Sequence, residues 1–301
     1  MNIIRYRTRE SAVPRVGLHD GGGVAELAGV ASLAELWALP LAGLRARLAE
    51  GPSGDQVPLA DVELLAPVDG RTEVWAAGVT YETSREARVE ESERAATVYE
   101  LVYDAERPEL FFKSAAWRAV GPGGSLSIRS DSTVDVPEPE LALMVNHLGE
   151  IVGYTVCDDV SSRSIEGENP LYLPQAKTYF GACGLGPWIT PAWEVQDPYD
   201  LAIEMTIHRD GRSEWSGQAS TSRLRRRLDG LVSYLMRGDV HPDGVVLSTG
   251  TCLVPPAPFT LAHGDVVEIG IGEVGTLRNT IIRGKPDEPD KPTVPKETSL
   301  R

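Results

Sequence analysis

The sequence predicts an α+β fold, and three observations carry that expectation. From Lys113 to Arg283 the chain breaks into many short apolar runs separated by Gly and Pro, the mark of successive strands. Helical spacing of apolar or charged residues is confined to three stretches, near 33–48, 83–103 and 220–237. Hydrophobic residues make up 42% and charged residues 24% of the 301 positions, the balance of a folded globular chain.

Residues 1 to about 70 alternate short apolar runs with Gly and Pro and read as a small α/β N-terminal domain. Leu33, Leu36 and Trp37, then Leu41, Leu44 and Leu48, fall at helical intervals, and Pro40 divides them into two short helices. Gln56 to Asp69, carrying Pro58, Asp61, Pro67 and Asp69, reads as the connection to a second unit spanning 71–283. There Val74 to Val79 is a strand. Residues 83–103 form a helix bearing Arg85, Glu86, Arg88, Glu90, Glu91, Glu93 and Arg94, either a solvated face or a lid beside a site. Leu141–Val145 and Ile151–Cys157 flank His147-Leu148-Gly149-Glu150 as a hairpin. From Ser220 to Arg237, Leu224, Leu228, Leu231, Val232 and Leu235 predict an amphipathic helix with Arg225, Arg226 and Arg227 on its solvated side. Residues 284–301, rich in Lys, Pro and Glu without periodicity, predict a disordered tail.

Charge narrows the function. With 44 acidic and 29 basic side chains the formal net charge is −15, which repels a phosphate backbone and argues against nucleic acid as a partner. An anionic substrate would need a local cation, and a bound metal would supply one. The three cysteines, Cys157, Cys183 and Cys252, are too few for a disulfide scaffold and lack CxxC spacing, which suits a reducing cytoplasm. The N-terminus has no apolar signal-peptide core, and no uncharged stretch is long enough to span a bilayer, so no membrane association is expected.

The most informative segment is Val136-Pro137-Glu138-Pro139-Glu140-Leu141. Each proline pushes the preceding residue into extended conformation, and i and i+2 in a strand share a face, so Glu138 and Glu140 project together. Asp159 closes the return strand of the hairpin and comes back beside them. Three carboxylates with no His or Cys form a hard oxygen site suited to Mg²⁺, Mn²⁺ or Ca²⁺. Solvent-facing acids on edge strands are the other reading of the same spacing.

Further candidates surround that segment. The polar run from Ser161, Ser162 and Arg163 through Gln175 to Lys177 follows directly from the acidic strand end, where a scaffold places binding groups. Lys177 is either a surface lysine or a cation for a substrate carboxylate able to move a proton. Glu109 and Lys113 bracket an apolar triplet as candidates for the site wall. Ser248-Thr249-Gly250-Thr251 is a small-residue turn able to offer a hydroxyl and backbone N–H groups. Other patterns fail. Gly270-Ile271-Gly272-Glu273-Val274-Gly275 satisfies GxGxxG, but no βαβ unit surrounds it and Thr276 to Asn279 reads as strand. The five histidines lie far apart without partner ligands.

Taken together, Glu138-Pro139-Glu140, Gly153 to Arg163, Gly264 to Ile269 and Gly275 to Asn279 resemble the fumarylacetoacetate hydrolase superfamily, from about Glu73 to Arg283. Ile165 to Lys177, Gly78 to Tyr81 and Arg107 to Lys113 are similar to its 2-keto-3-deoxy-pentonate dehydratase branch. The resemblance implies a mixed β-roll catalytic domain, a homodimer or homotetramer, and Mg²⁺ held by Glu138, Glu140 and Asp159. It makes Lys177 the active-site lysine, Glu109 the acid assisting departure of hydroxide, and Thr251 a contact to the carboxylate of a small 2-oxo acid. Lys113, Ser161, Ser162, Arg163 and Gln175 are the remaining substrate-binding candidates. The chain departs from the family's usual Gly-Asn-Asp at Cys157-Asp158-Asp159, adding an acid beside a ligand, and again at Phe180 to Gly184. Competing expectations are hydrolysis of a C–C bond in an acylpyruvate, decarboxylation of a β-oxo acid, or a silent ligand-binding paralogue. The lack of His between Tyr81 and Arg107 counts against hydrolysis, because those relatives generally use a His–Glu pair there.

Overall fold

A computed structural model describes residues 1–82 and 101–286. Its chain runs β1 (Asn2–Thr8), β2 (Ser11–His19), β3 (Val24–Glu26), α1 (Leu33–Trp37), α2 (Leu41–Ala49), β4 (Ser53–Val57), β5 (Val62–Leu64), β6 (Glu73–Gly78) and β7 (Glu109–Ala115). It continues with β8 (Ser125–Ile128), β9 (Asp135–Val136), β10 (Pro139–Val145), β11 (Ile151–Asp159), β12 (Ser161–Ser162), α3 (Arg163–Glu168) and α4 (Leu173–Lys177). The last elements are β13 (Cys183–Pro191), β14 (Ala202–Arg209), β15 (Arg212–Ser220), α5 (Leu228–Leu235), β16 (Val245–Ser248), β17 (Val266–Ile271) and β18 (Gly275–Arg283). Strands dominate, as the α+β expectation requires.

Eleven strands form one large sheet in the order β4-β3-β2-β1-β13-β11-β10-β16-β6-β7, with β5 on β1. Five more form a second sheet, β15-β14-β17-β18-β8. β10, Pro-Glu-Leu-Ala-Leu-Met-Val, is buried on both faces along its whole length, which is why it reads as a continuous run rather than an alternation. Leu141, Leu143 and Val145 pack on one side with Ile203, Met205 and Ile207 of the second sheet. Ala142 and Met144 pack on the other with Leu33, Leu36, Trp37, Leu44 and Leu48 of the N-terminal helices. The large sheet is thus the middle layer between two short helices and a smaller sheet. β1 pairs with β13 at Ile3 and Ile189, so the N-terminal strands share a ladder with the central strands.

Several expectations hold, and others shift. Pro40 separates α1 from α2, the hairpin of β10 and β11 forms around residues 146–150, and the GxGxxG run is the turn between β17 and β18. The stretch expected as a plain connection, 56–69, contributes β5 to the ladder with β1. The helix expected from Ser220 begins only at Leu228. Leu224 makes a β-bridge to Tyr81 and the Arg225 amide donates to the Thr80 carbonyl, 3.1 Å away, so this backbone is engaged with another segment and Leu224 and the three arginines lie outside the helix. Most of the charged helix expected at 83–103, and all but the first residues of the tail expected at 284–301, fall outside the described residues. No described helix is long and apolar enough to cross a membrane.

Candidate metal centre and active site

Strand ends build the site. β6 and β16 run parallel and finish together, β10 begins beside β16, β7 begins at the register partner of Gly78, and β11 finishes beside β10. In the β10–β11 ladder Pro139 faces Asp158, and the Asp159 amide donates to the Glu138 carbonyl at 3.0 Å. Glu138 and Asp159 therefore stand side by side, with Glu140 two residues on and on the same face. Carboxylate oxygens of Glu138, Glu140 and Asp159 lie within 4.8 Å of one another, and all three residues are buried. Asp158, one residue out of phase, lies on the opposite face, where its Oδ1 accepts the Glu138 amide at 3.1 Å. Burial pushes its carboxyl up to about 8, with the Glu138 amide opposing.

Cations gather around two of the three acids. Lys177 Nζ donates to Glu138 Oε2 at 2.6 Å, to Asp159 Oδ2 at 3.2 Å and to Ser161 Oγ at 2.5 Å. Arg163 reaches Glu138 Oε1 at 2.7 Å and Lys113 Nζ lies 2.5 Å from Asp159 Oδ1. Glu140 is held by neutral donors, Ser248 Oγ at 2.5 Å and the Gly250 amide at 2.9 Å. Its carboxyl is pushed from 4.5 to about 8, first by burial and then by Asp159 and Glu138, while Lys177 and Ser248 pull the other way. Glu140, which no cation among the described residues contacts, therefore favours its protonated form at neutral pH unless further positive charge enters the site. The donor set fits a hard divalent cation, for it is all oxygen, and the ammonium of Lys177 already sits between two of its members.

The cavity beside these acids is lined by Gly78, Val79, Glu109, Phe111, Glu166 and Thr251, together with the three carboxylates and Lys177. Its space is about 20 Å³, enough for a single water. A cleft of about 610 Å³ lies elsewhere, near Arg5, Leu64, Trp117 and Pro122, but among the described residues the three acids that converge within ligand distance are Glu138, Glu140 and Asp159, and chemistry rather than volume identifies the site. Glu109 fits only because Gly78 has no side chain, since a Cβ there would overlap its carboxylate. Gly250 takes a left-handed φ of 91°, and a Cβ on it would collide with the Thr80 hydroxyl, so the turn presenting its amide to Glu140 requires glycine.

Other expected residues occupy different stations. Thr251 lines the cavity with its hydroxyl 3.0 Å from the Pro139 carbonyl. Ser161 supports Lys177 from beneath, and Arg163 is committed to Glu138, so both orient cavity groups. Lys113 lies behind Asp159, donating to the carbonyls of Val160 and Lys177 at 3.1 and 2.6 Å. Ser162 caps α3 by accepting the Ile165 amide and donates to Ser132, facing away from the cavity. Gln175 is exposed, because α4 turns Leu173 and Lys177 inward, four residues apart, and leaves the intervening Gln175 outside. Glu166, Phe111 and Leu173 are cavity residues that lie within the motif stretches 165–177 and 107–113 but are not among the expected site residues. For Glu166 the available signal was its position three residues after Arg163 in a capped helix, which puts both on one buried face.

The chain is similar to known proteins over most of its length. Residues 73–282 match the family model of the fumarylacetoacetate (FAA) hydrolase C-terminal domain. A probable 2-keto-3-deoxyxylonate dehydratase of Haloferax volcanii is 48% identical over 256 residues, covering 85% of this chain and 86% of that protein. A 2-dehydro-3-deoxy-D-arabinonate dehydratase of Saccharolobus solfataricus is 46% identical over 220 residues, covering 72% of this chain and 74% of that one. A solved 2-keto-3-deoxy-D-arabinonate dehydratase complexed with magnesium and 2,5-dioxopentanoate superposes with a TM-score of 0.79 at 35% identity, covering 94% of this chain and 99% of that one. The match over most of the chain, and identity approaching one half to relatives covered over most of their length, place this protein in the fumarylacetoacetate hydrolase family.

Proposed function

We propose that this protein is an Mg²⁺-dependent hydro-lyase that removes water from a 2-keto-3-deoxy pentonate to give a dioxo acid. The observation that carries the reading is the buried set of Glu138, Glu140 and Asp159 with Lys177 among them, in a chain 48% identical to a probable 2-keto-3-deoxyxylonate dehydratase. Glu138, Glu140 and Asp159 would hold the ion. Bound Mg²⁺ supplies positive charge that offsets the negative charge developing on the substrate's 2-oxo oxygen as a C3 proton leaves.

The chain's own groups divide the rest of the work. Lys177 is the proton-moving group. With its ammonium hydrogen-bonded to Glu138 and Asp159, it takes up the C3 proton only after passing one of its own to a carboxylate. Glu109, across the cavity, protonates the departing C4 hydroxyl, which leaves as water. A proton then passes from C5 to C3 to give an enol across C4 and C5, and the enol's hydroxyl proton moves to C4, leaving the C5 aldehyde of the dioxo acid. Thr251 orients the substrate carboxylate. Because the cavity holds about one water, a five-carbon acid must displace side chains such as Lys177 on entering.

The test is incubation of the purified protein with Mg²⁺ and a panel of 2-keto-3-deoxy acids and acylpyruvates, with products read by mass. A product lighter by one water supports the reading, and two smaller acids would replace it with C–C hydrolysis. The same proposal takes residues 1–70 as a small N-terminal α/β unit and 71–283 as the catalytic unit, a division supported by the family match beginning at residue 73. It also takes the protein as a homodimer or homotetramer working in the cytoplasm. The three free, buried cysteines suit that compartment, and light scattering reports the mass.

A further inference from the structure

We infer that Arg226 is a positioning residue for Glu109, acting through the backbone on both sides of the cleft that holds the Glu109 carboxylate. The inference rests on the assignment of Glu109 as the acid that assists loss of the C4 hydroxyl. The guanidinium of Arg226 donates to three carbonyls of one short segment, Val102 at 2.8 Å, Ala105 at 2.9 Å and Glu106 at 3.2 Å. Only Arg107 and Pro108 separate that segment from Glu109, the first residue of β7, and Pro108 is buried with a ring that fixes its φ. Little slack remains between the anchored carbonyls and the carboxylate.

The residues flanking Arg226 hold the opposite wall. The Arg225 amide donates to the Thr80 carbonyl at 3.1 Å, and Leu224 forms a β-bridge to Tyr81. Thr80 and Tyr81 follow within three residues of Gly78, the register partner of Glu109 and the floor on which its carboxylate lies. From α5, Tyr234 adds a hydrogen bond of 3.0 Å to Glu106. Residues 224–226 therefore brace the Gly78 floor and the run into Glu109 against each other. A planar fork does this because it spreads its donors over a wider span than the compact ammonium of a lysine.

The test is a double-mutant cycle in the full-length, Mg²⁺-loaded protein. Arg226→Ala is expected to lower kcat by about ten- to a hundredfold, the effect of moving a catalytic group by up to an ångström, with KM and the Mg²⁺ half-saturation unchanged. In a Glu109→Gln background the same change is expected to cost nothing further. Arg227→Ala, at an exposed side chain, is the control expected to match wild type. An equal loss in both backgrounds, or wild-type kcat in Arg226→Ala, overturns the inference. If Arg226→Ala does not fold, Arg226→Lys is carried through the same cycle, with a smaller loss expected only where Glu109 is intact. Amide hydrogen exchange supplies a readout that needs no turnover. Residues 105–110 are expected to exchange at least about tenfold faster in the Arg226 variant than in wild type, and unchanged protection there overturns the inference. Failure of the wild type to dehydrate any acid of the panel would instead refute the dehydratase reading, leaving exchange to decide the role of Arg226.

Discussion

Gly78→Ala is the sharpest perturbation of the site, because it adds one methyl group at a single known contact. A Cβ on Gly78 would lie 2.7 Å from the carboxyl carbon of Glu109 and closer still to its Oε2, whereas ordinary contact begins at 3.4 Å. The carboxyl carbon has to retreat by 3.4 − 2.7 = 0.7 Å and the oxygen by more, so the acid moves by about 1 Å. A displacement of that size at a reacting group costs about a hundredfold in rate, or about 2.7 kcal/mol of barrier. Stability should not follow. The atoms that give way are the far end of a flexible side chain, and Gly→Ala at an unstrained backbone position stabilises by about 0.4–1 kcal/mol through the unfolded chain. The assay is kcat and KM for loss of water, with Mg²⁺ half-saturation and Tm measured alongside. Expected are kcat down by about two orders of magnitude, unchanged Mg²⁺ demand and an unchanged or slightly raised Tm. In a Glu109→Asp background, where the carboxylate is already drawn back by one methylene, the same substitution should cost little. Wild-type kcat in Gly78→Ala, or a loss accompanied by weakened Mg²⁺ binding, would show that the Glu109 carboxylate is not used where the structure puts it.

Three further outcomes are expected. Because Glu140 is raised from 4.5 to about 8, the metal-free folded protein keeps a proton that the unfolded chain has lost over that interval. Its stability should therefore fall as pH rises from about 5 to 8, and Mg²⁺ should restore it. Binding at pH 7 should release close to one proton, measurable by calorimetry in buffers of different ionisation enthalpy, and the release should vanish in Glu140→Gln. Lys177→Ala should lose about 10²–10⁴-fold in kcat while retaining Mg²⁺, whereas Gln175→Ala, at an exposed side chain, should stay near wild type in the same steady-state assay. Leu44→Ala, fully buried between α2 and the large sheet, should destabilise by about 2–5 kcal/mol in urea unfolding without changing kcat.

Some of this protein could be read from one dimension because the physics is local. Period-two geometry alone puts Glu138 and Glu140 on one face, Pro40 alone divides two helices, and a hairpin turn brings Asp159 back to Glu138. The motifs around them were specific enough to indicate the family and its 2-oxo acid chemistry. What the sequence could not reveal depends on partners distant in the chain. Leu224 to Arg227 has the spacing of a helix, yet its backbone is held by residues 80 and 81, and tertiary hydrogen bonding overrides the pattern. Gln175 and Lys177 sit in the same polar run, and only the seating of α4 decides that one faces water and the other a carboxylate.

The three carboxylates and the hairpin that carries them follow from the sequence by itself, since strand alternation and a short turn determine them. The tertiary structure decided which cations meet those acids and that Gly78 opens a place for Glu109. Those facts depend on the register of strands far apart in the chain, and register is set by the packing of two cores rather than by any run of neighbouring residues.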